Sequence, residues 1–528
     1  MAVPLLAVVT FALNPSDDIW SHLFDTVLVK YIRTTLTLMI GVGFGVFLIG
    51  TGTAWLVTMC RFPGRWIFNW ALLLPLAVPA YVLAFVVTDQ LEYAGTVQVV
   101  LRDVFGWQNR QDYWFPEIRS LGSAIVVMTL VLYPYVYLLA RAAFLEQSVC
   151  VLEVSRTLGK SPWQSFHSVA LPLARPAIVI GVILALMETV NDFGTVDYFA
   201  VNTFTFGIFD VWLNMNSRSG AAQLASILLL FVLVLVGAER WARRGQRFHH
   251  TSSKYSALPS YQLNGMRATG AIAACLIPVL LGFVLPAGVL ASYALEFYEE
   301  TLTANYFSYV INTLTLASVS AVLAVGIGVF LAYGVRLNGS PLLRLMTRFA
   351  SIGYAVPGAI LAIGIVIPLG AFDNFLDALS RQAFGISTGL LMSGTIIAII
   401  YAYLARFLAL SYGTVEASLA KITPNMDGAG RSLVRLHLPL MRGSLMTAGL
   451  LVFVDCMKEL PLTLILRPFN YETLATFVYQ YASDELLEEA ALGALTIVGA
   501  GVIPVILLSI SIVRSRPGRA PDGPETPQ

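Results

Sequence analysis

The stretch Thr34–Met59, TTLTLMIGVGFGVFLIGTGTAWLVTM, runs for 26 residues without a charge. Wound as an α-helix at ~1.5 Å per residue it is ~39 Å long, enough to cross the ~30 Å hydrocarbon core of a bilayer. Its tetrapeptide Thr35-Leu36-Thr37-Leu38 returns as Thr313-Leu314-Thr315-Leu316, 278 positions later. The first fact places the chain in a membrane. The second says that it repeats itself.

Composition agrees with the membrane reading. Of 528 residues, 57% are hydrophobic and 12% charged, with a mean hydropathy of +0.76. Soluble domains carry about 25% charged residues, so this chain lacks the charge to cover a water-facing surface. A net charge of +1 gives no reason to expect nucleic acid. Cys60, Cys150, Cys275 and Cys456 lie in or beside apolar segments without metal-ligand spacing, as buried thiols do.

The apolar runs predict an all-α polytopic membrane protein with about 12 transmembrane helices. They fall near Ala2–Leu13, Thr34–Met59, Trp66–Val87, Leu121–Ala140, Ile178–Val190, Ala222–Val236, Thr269–Leu295, Ile311–Val335, Phe349–Phe372, Gly389–Leu408, Ser444–Ile465 and Ala490–Val513. The first reaches only ~20 Å and lacks the basic start and cleavage site of a signal peptide. The expectation is a helix that begins upstream of Met1. Ile19–Leu28 reads as an interfacial helix on the outer face. Pro79 and Pro357 fall within spans and are expected to kink them.

Loops after even-numbered spans and the C-terminal tail hold 23 of the 32 basic residues, among them Arg61, Arg141, Arg175, Arg336 and Arg406. The positive-inside rule then puts these loops and both termini in the cytoplasm. The opposite side keeps a mixed-charge loop, Asp89 to Ser120.

Further anchors keep the order of the repeat. Val78-Pro79 matches Val356-Pro357 at 278, Arg156–Leu158 matches Arg431–Leu433 at 275, and Leu171-Pro172-Leu173 matches Leu438-Pro439-Leu440 at 267. Each repeated segment crosses in the same direction, so the repeat is parallel, about an axis along the membrane normal. The chain divides into a first half, 1–240, a basic linker, 241–268, a second half, 269–513, and a Pro- and Gly-rich tail, 514–528, expected to be disordered.

Polar residues recur inside the spans. Glu188, Asn191 and Asp192 share a helix face if the fifth span continues that far, and the 267 offset carries them to Asp455, Lys458 and Glu459. Ionisable groups at the bilayer centre cost at least ~2.5 kcal/mol each, and they face a bundle interior or an aqueous path. Two readings stand level: these faces line a translocation path, or Lys458 neutralises Asp455 or Glu459 and locks the helices. Carboxylate oxygens suit a hard cation, but no resident metal site is assigned. His249-His250 lies in the basic linker and reads as solvated; His22, His167 and His437 read as loop or interfacial residues. Gly159-Lys160-Ser161 imitates the end of a phosphate-binding loop, but Val154 stands where its first Gly belongs. No nucleotide site is read anywhere.

Between the fourth and fifth spans the chain reads Glu153-Val154-Ser155-Arg156-Thr157-Leu158-Gly159, nine more residues, then Val169-Ala170-Leu171-Pro172. This loop, 153–172, resembles the EAA loop of ABC-importer permeases. Glu153, Gly159, Leu171 and Pro172 occupy matching positions, while Val154 departs from a small residue. The second copy, 427–439, is eight residues shorter and more degenerate. Gly428 stands at the acidic position with Asp427 before it, Arg431 is kept, and Leu438-Pro439 closes the loop.

Nearly the whole chain also resembles the iron(III) permeases that fuse two six-span halves, through Ala71–Phe85, Glu188–Val196, Phe453–Asn470 and Tyr481–Leu492. The resemblance implies a type I importer permease of the bacterial inner membrane. It also implies two copies of a separate ATPase docked on the two loops, and a periplasmic or lipid-anchored binding protein that delivers the cargo. The chain itself would perform no covalent chemistry and hold no cofactor, with ATP used by the partner subunit. Thiamine, polyamine or oxyanion permeases of the same design remain alternatives, as does a secondary transporter driven by an ion gradient.

Overall fold

Inside a bilayer the backbone has no partner but itself, so long apolar runs must close their own hydrogen bonds as helices. The computed structural model describes residues 2–14, 19–146, 157, 159, 161–244, 261–350, 352–420 and 437–514. Its N-terminal part contains α1 Ala2–Leu13, α2 Ile19–Thr26, α3 Leu28–Met59, α4 Arg65–Ala71, α5 Ala80–Leu91, α6 Thr96–Phe105, α7 Leu121–Glu146, α8 Pro162–Ser165, α9 Leu171–Asn191, α10 Gly194–Tyr198, α11 Phe204–Phe209 and α12 Arg218–Arg244. The C-terminal part contains α13 Met266–Val279, α14 Leu285–Glu296, α15 Tyr298–Thr301, α16 Ala304–Leu337, α17 Pro341–Ala350, α18 Gly358–Phe384, α19 Ile396–Leu419, α20 Leu438–Met457, α21 Pro461–Leu466, α22 Leu474–Ser483 and α23 Leu487–Arg514.

Among the described residues ten helices are long and apolar enough to cross a membrane. One more span is broken: Arg65–Ala77 and Ala80–Phe105 meet at 90°. That makes up to eleven where twelve were expected, because Ala2–Leu13 is apolar but short.

Three expected spans are also cut differently. The run Trp66–Val87 breaks at a 3₁₀ turn, Leu74–Ala77, and Pro79 sits at the N-cap of α5 with extended backbone. Phe349–Phe372 breaks likewise, with α17 separate and Pro357 capping α18. Ser444–Ile465 divides into α20 and α21. Proline lacks the N–H that a helix interior needs but suits a helix start, so these prolines reopen helices and do not merely kink them.

Many of the basic residues expected in loops lie in helices, and two of them are buried in the bundle. Arg141 is inside α7 and buried, donating to Asn69 Oδ1 at 3.2 Å. Arg406 is in the middle of α19, which runs on to Leu419 rather than ending at Leu408. His437, read as a loop or interfacial residue, is fully buried with its ring against Tyr333.

The sequence offsets reappear as contacts. Thr35 Oγ1 accepts from the amide of Phe204 at 3.2 Å, and Thr313 Oγ1 accepts from that of Leu474 at 2.8 Å. Each threonine, from a long helix, thus satisfies an orphan donor at the start of a short one, α11 or α22. Gly50 lies against the backbone of α7 at Tyr133 and Tyr137, and Gly328 lies against that of α19 at Ser411 and Tyr412. A Cβ at Gly50 would meet that backbone at 2.9 Å, and one at Gly328 would meet the Ser411 hydroxyl at 2.9 Å and the Tyr412 amide at 3.2 Å. Small residues let such helices approach closely.

The first helices cross over. α1 packs on α18 and α12, and the backbone of Pro4 lies against Gly364. α13 and α14 pack on α3, α4 and α5, with Tyr293 donating to Asp89 at 2.8 Å. A two-residue parallel strand pair, Cys60–Arg61 with Tyr261–Gln262, interrupts the all-α pattern and ties the end of the linker to the end of α3. Residues 245–260 of that linker, and the tail 515–528, lie outside the described residues.

Candidate functional site

Where α9 and α20 stop short, their polar residues turn inward. α9 ends at Asn191 and Asp192 beyond it adopts extended backbone, so the condition for a shared face holds for Glu188 and Asn191 but not for Asp192. The Asp192 carboxylate accepts from the amide of Thr195 at 2.9 Å and from its hydroxyl at 3.0 Å, capping α10. Glu459 follows α20 in the same way and accepts from the amide of Leu462 at 3.3 Å, within the first turn of α21. A carboxylate at a helix N-terminus satisfies orphan amides and meets the positive end of the helix dipole.

All six residues singled out from the repeat, Glu188, Asn191, Asp192, Asp455, Lys458 and Glu459, line one cavity of about 100 Å³. The wall is completed by Pro79, Tyr81, Tyr135, Tyr354, Arg406 and Phe407, among others. It therefore draws on the broken span before α5, on α7 and α9, and on α19 to α21.

Arg406 joins these elements, and sequence reasoning passed it over as a loop cation. Its guanidinium Nη1 donates to Glu459 Oε1 at 3.1 Å and to Asn191 Oδ1 at 3.0 Å. Nη2 stands 3.8 Å from Glu188 Oε2. Asn191 Oδ1 also accepts from the amide of Gly358 at 2.6 Å, so a residue of α9 caps α18. Lys458 pairs with Asp455 at 2.8 Å and leaves Glu459 to Arg406. The hydroxyls of Tyr135 and Tyr354 meet at 3.5 Å across the cavity wall. The signal that identifies Arg406 is its position: a single charge in the apolar run Tyr401–Ala409 has no loop to occupy.

The charges do not balance. Four carboxylates face two cations, and the Arg406 side chain is 3% exposed, Glu459 6% and Glu188 21%. Ion pairs buried this deeply hold only when both partners are present. Among the described residues no three His, Cys, Asp or Glu side chains are grouped to hold a metal ion. The arrangement can exclude or admit charge, and it can join helices from distant parts of the chain.

Of the loop residues, Glu153 and Arg431 lie outside the described residues, as do Asp427 and His249-His250. Gly159 has φ +75, the left-handed conformation expected where a helix ends. Pro172 and Pro439 occupy the first turns of α9 and α20, after Leu171 and Leu438. Trp55 of α3 meets Phe166 at 4.9 Å and Phe144 at 5.7 Å, fixing the base of the first loop to two spans.

Residues 46–247 match the family model of the binding-protein-dependent transport system inner membrane component. An Fe(3+)-transport system permease protein of Haemophilus influenzae is 27% identical over 504 residues, covering 92% of this chain and 90% of the relative. The molybdenum transport system permease protein of Escherichia coli is 25% identical, covering 42% of this chain and 95% of the relative. The sulfate transport system permease protein of Escherichia coli is 30% identical, covering 36% and 67%. With its stacked apolar helices and its charges withdrawn into the bundle, the chain belongs to this family, the multi-pass inner membrane permeases of binding-protein-dependent ABC importers, in which ATP is hydrolysed on a separate subunit.

Proposed function

We propose that this chain is the pore of a ferric-iron importer, taking its cargo from a binding protein and releasing it to the cytoplasm by alternating access. One observation carries the reading. The similarity to the iron(III) system permease runs along both halves, whereas the molybdenum and sulfate relatives match about two fifths of the chain.

In this reading residues 1–240 and 269–513 are equivalent halves joined by the linker 241–268. The path runs between them, lined by Glu188, Asn191 and Asp192 from one half and Asp455, Lys458 and Glu459 from the other. Two ATPase copies grip the loops 153–172 and 427–439 on the cytoplasmic side, where both termini also lie. The surplus of carboxylates in the cavity favours a cation as cargo.

The presence of Arg406 and Lys458 in the same cavity supports a second reading, an oxyanion such as the sulfate named for one relative. Reconstitution decides between them. The complex with its ATPase, in liposomes with candidate binding proteins, is expected to accumulate radiolabelled iron and to hydrolyse ATP faster with an iron-loaded binding protein. Stimulation by molybdate- or sulfate-loaded protein, with none by iron, would overturn the iron assignment.

A further inference from the structure

We propose that Arg406 is a tethered cation that closes the path in this conformation, occupying the carboxylates through which a cationic cargo must pass. The inference rests on the reading of this cavity as the pathway and deepens it.

The guanidinium draws its partners from both parts of the chain: Asn191 and Glu188 on α9, Glu459 between α20 and α21. No other side chain in the cavity reaches across in this way with a positive charge, since Lys458 is engaged three residues away by Asp455 on its own helix. The repeat shows that packing alone does not demand a cation here. At the 275 offset the counterpart of Arg406 is Val131, which lines the same cavity. One side of the cavity is satisfied by a branched apolar residue; the other spends a charge.

The contacts also differ from those of a structural lock. A buried pair that stabilises a fold needs close geometry and every donor satisfied. Arg406 makes single contacts rather than a paired fork, its Nε has no hydrogen-bond partner among the described residues, and its link to Glu188 is 3.8 Å long. Glu188 is also the more exposed of its two carboxylate partners. The Glu188 contact is therefore the loosest, the first to part when the halves separate. Tyr81, buried in the same wall, leaves its hydroxyl without a partner among the described residues. Gly358 completes the seat: its absent side chain leaves the space where Arg406 Nη1 and Glu459 Oε1 each come within 3.0 Å of the Cβ position. With Arg406 in place, small cations find no free pair of carboxylates. When the halves part, the cargo takes over those oxygens.

The test is passive leak, which a merely structural residue does not control. The full chain with its ATPase is placed in liposomes without ATP, and potassium entry is followed with a trapped dye. Arg406→Gln is expected to leak about tenfold faster than the parent, the factor that one charge-assisted hydrogen bond confers on an equilibrium, with Arg406→Lys in between. Because Arg406→Gln strands a buried carboxylate, the double variant Arg406→Gln with Glu459→Gln is measured alongside and must leak as well. Folded, ATPase-bound double variant that stays tight overturns the proposal. Iron uptake by Glu188→Gln separates the two levels. Reduced uptake with a tight Arg406 variant sinks only the tether, whereas undiminished uptake sinks the pathway reading and the tether with it.

Discussion

Asp192 and Glu459, 267 residues apart, perform the same act: each carboxylate accepts from the amide three residues on and restarts a broken helix. The intramembrane acids are thus not a choice between path and lock. Two of the four have a capping task set by the backbone, and this separates what charge does from what hydrogen bonding does. Asp192→Ala is expected to destabilise the protein by about 1 kcal/mol through loss of a cap. Asp192→Asn keeps an acceptor and is expected to unfold close to the parent. Thermal unfolding of the solubilised protein compares them; equal losses would show that charge, not the cap, is what matters.

Glu188 and Asp455 carry no such cap; their partners are the cations Arg406 and Lys458. Glu188→Gln and Asp455→Asn are expected to lower iron uptake by about tenfold at unchanged expression, the size of effect that one lost charged hydrogen bond confers. Vesicle uptake normalised to membrane-inserted protein measures this. Unchanged uptake in both removes them from the path.

Gly358→Ala introduces a methyl 3.0 Å from both Arg406 Nη1 and Glu459 Oε1. Overpacking of this kind costs about 1–3 kcal/mol, and here it falls on the Arg406–Glu459 pair, whose Arg406 Nη1 also bonds Asn191 of α9. Lower thermal stability is expected together with faster potassium entry into liposomes. A stable, tight Gly358→Ala protein would show that the seat is roomier than the contacts indicate.

Thr35→Val and Thr313→Val test the repeat as a structural device. Each strips the acceptor from a buried amide, of Phe204 or Leu474, and an unsatisfied buried donor costs about 1–3 kcal/mol. Similar losses in the two variants are expected, and additive ones in the pair because the sites are far apart. A loss confined to one threonine would mean that the two contacts are alike in geometry but not in weight.

Glu153→Lys is expected to reduce co-purification of the ATPase more than Asp427→Lys does, since the second loop is eight residues shorter and has Gly428 at the acidic position. Quantifying the ATPase retained on the tagged permease checks it. Equal retention would deny the first loop its privileged role.

Much of this was readable in one dimension because the repeat writes its contacts twice. The threonines at 35 and 313 and the polar pairs at offset 267 are visible in the sequence, and all six polar residues meet in one cavity. Arg406 was missed for a physical reason. Counting every arginine beside a span toward the positive-inside rule hides the one that enters the bundle, and α19 outruns its expected end by eleven residues, from Leu408 to Leu419. The helix breaks at Pro79 and Pro357 were legible as irregularities. Their nature as restarts was not, because a proline reads the same in the sequence whether it bends a helix or begins one.

The crossing of α1 onto α18, and of α13 and α14 onto α4 and α5, decides what can swing. A cut at the linker would not yield two modules that move apart, because each would keep a helix seated on the other. Under the alternating access proposed above, the moving units would be composites, one of them carrying α1 as a passenger, while α14 is seated mainly on α23 and reaches α5 only at its edge.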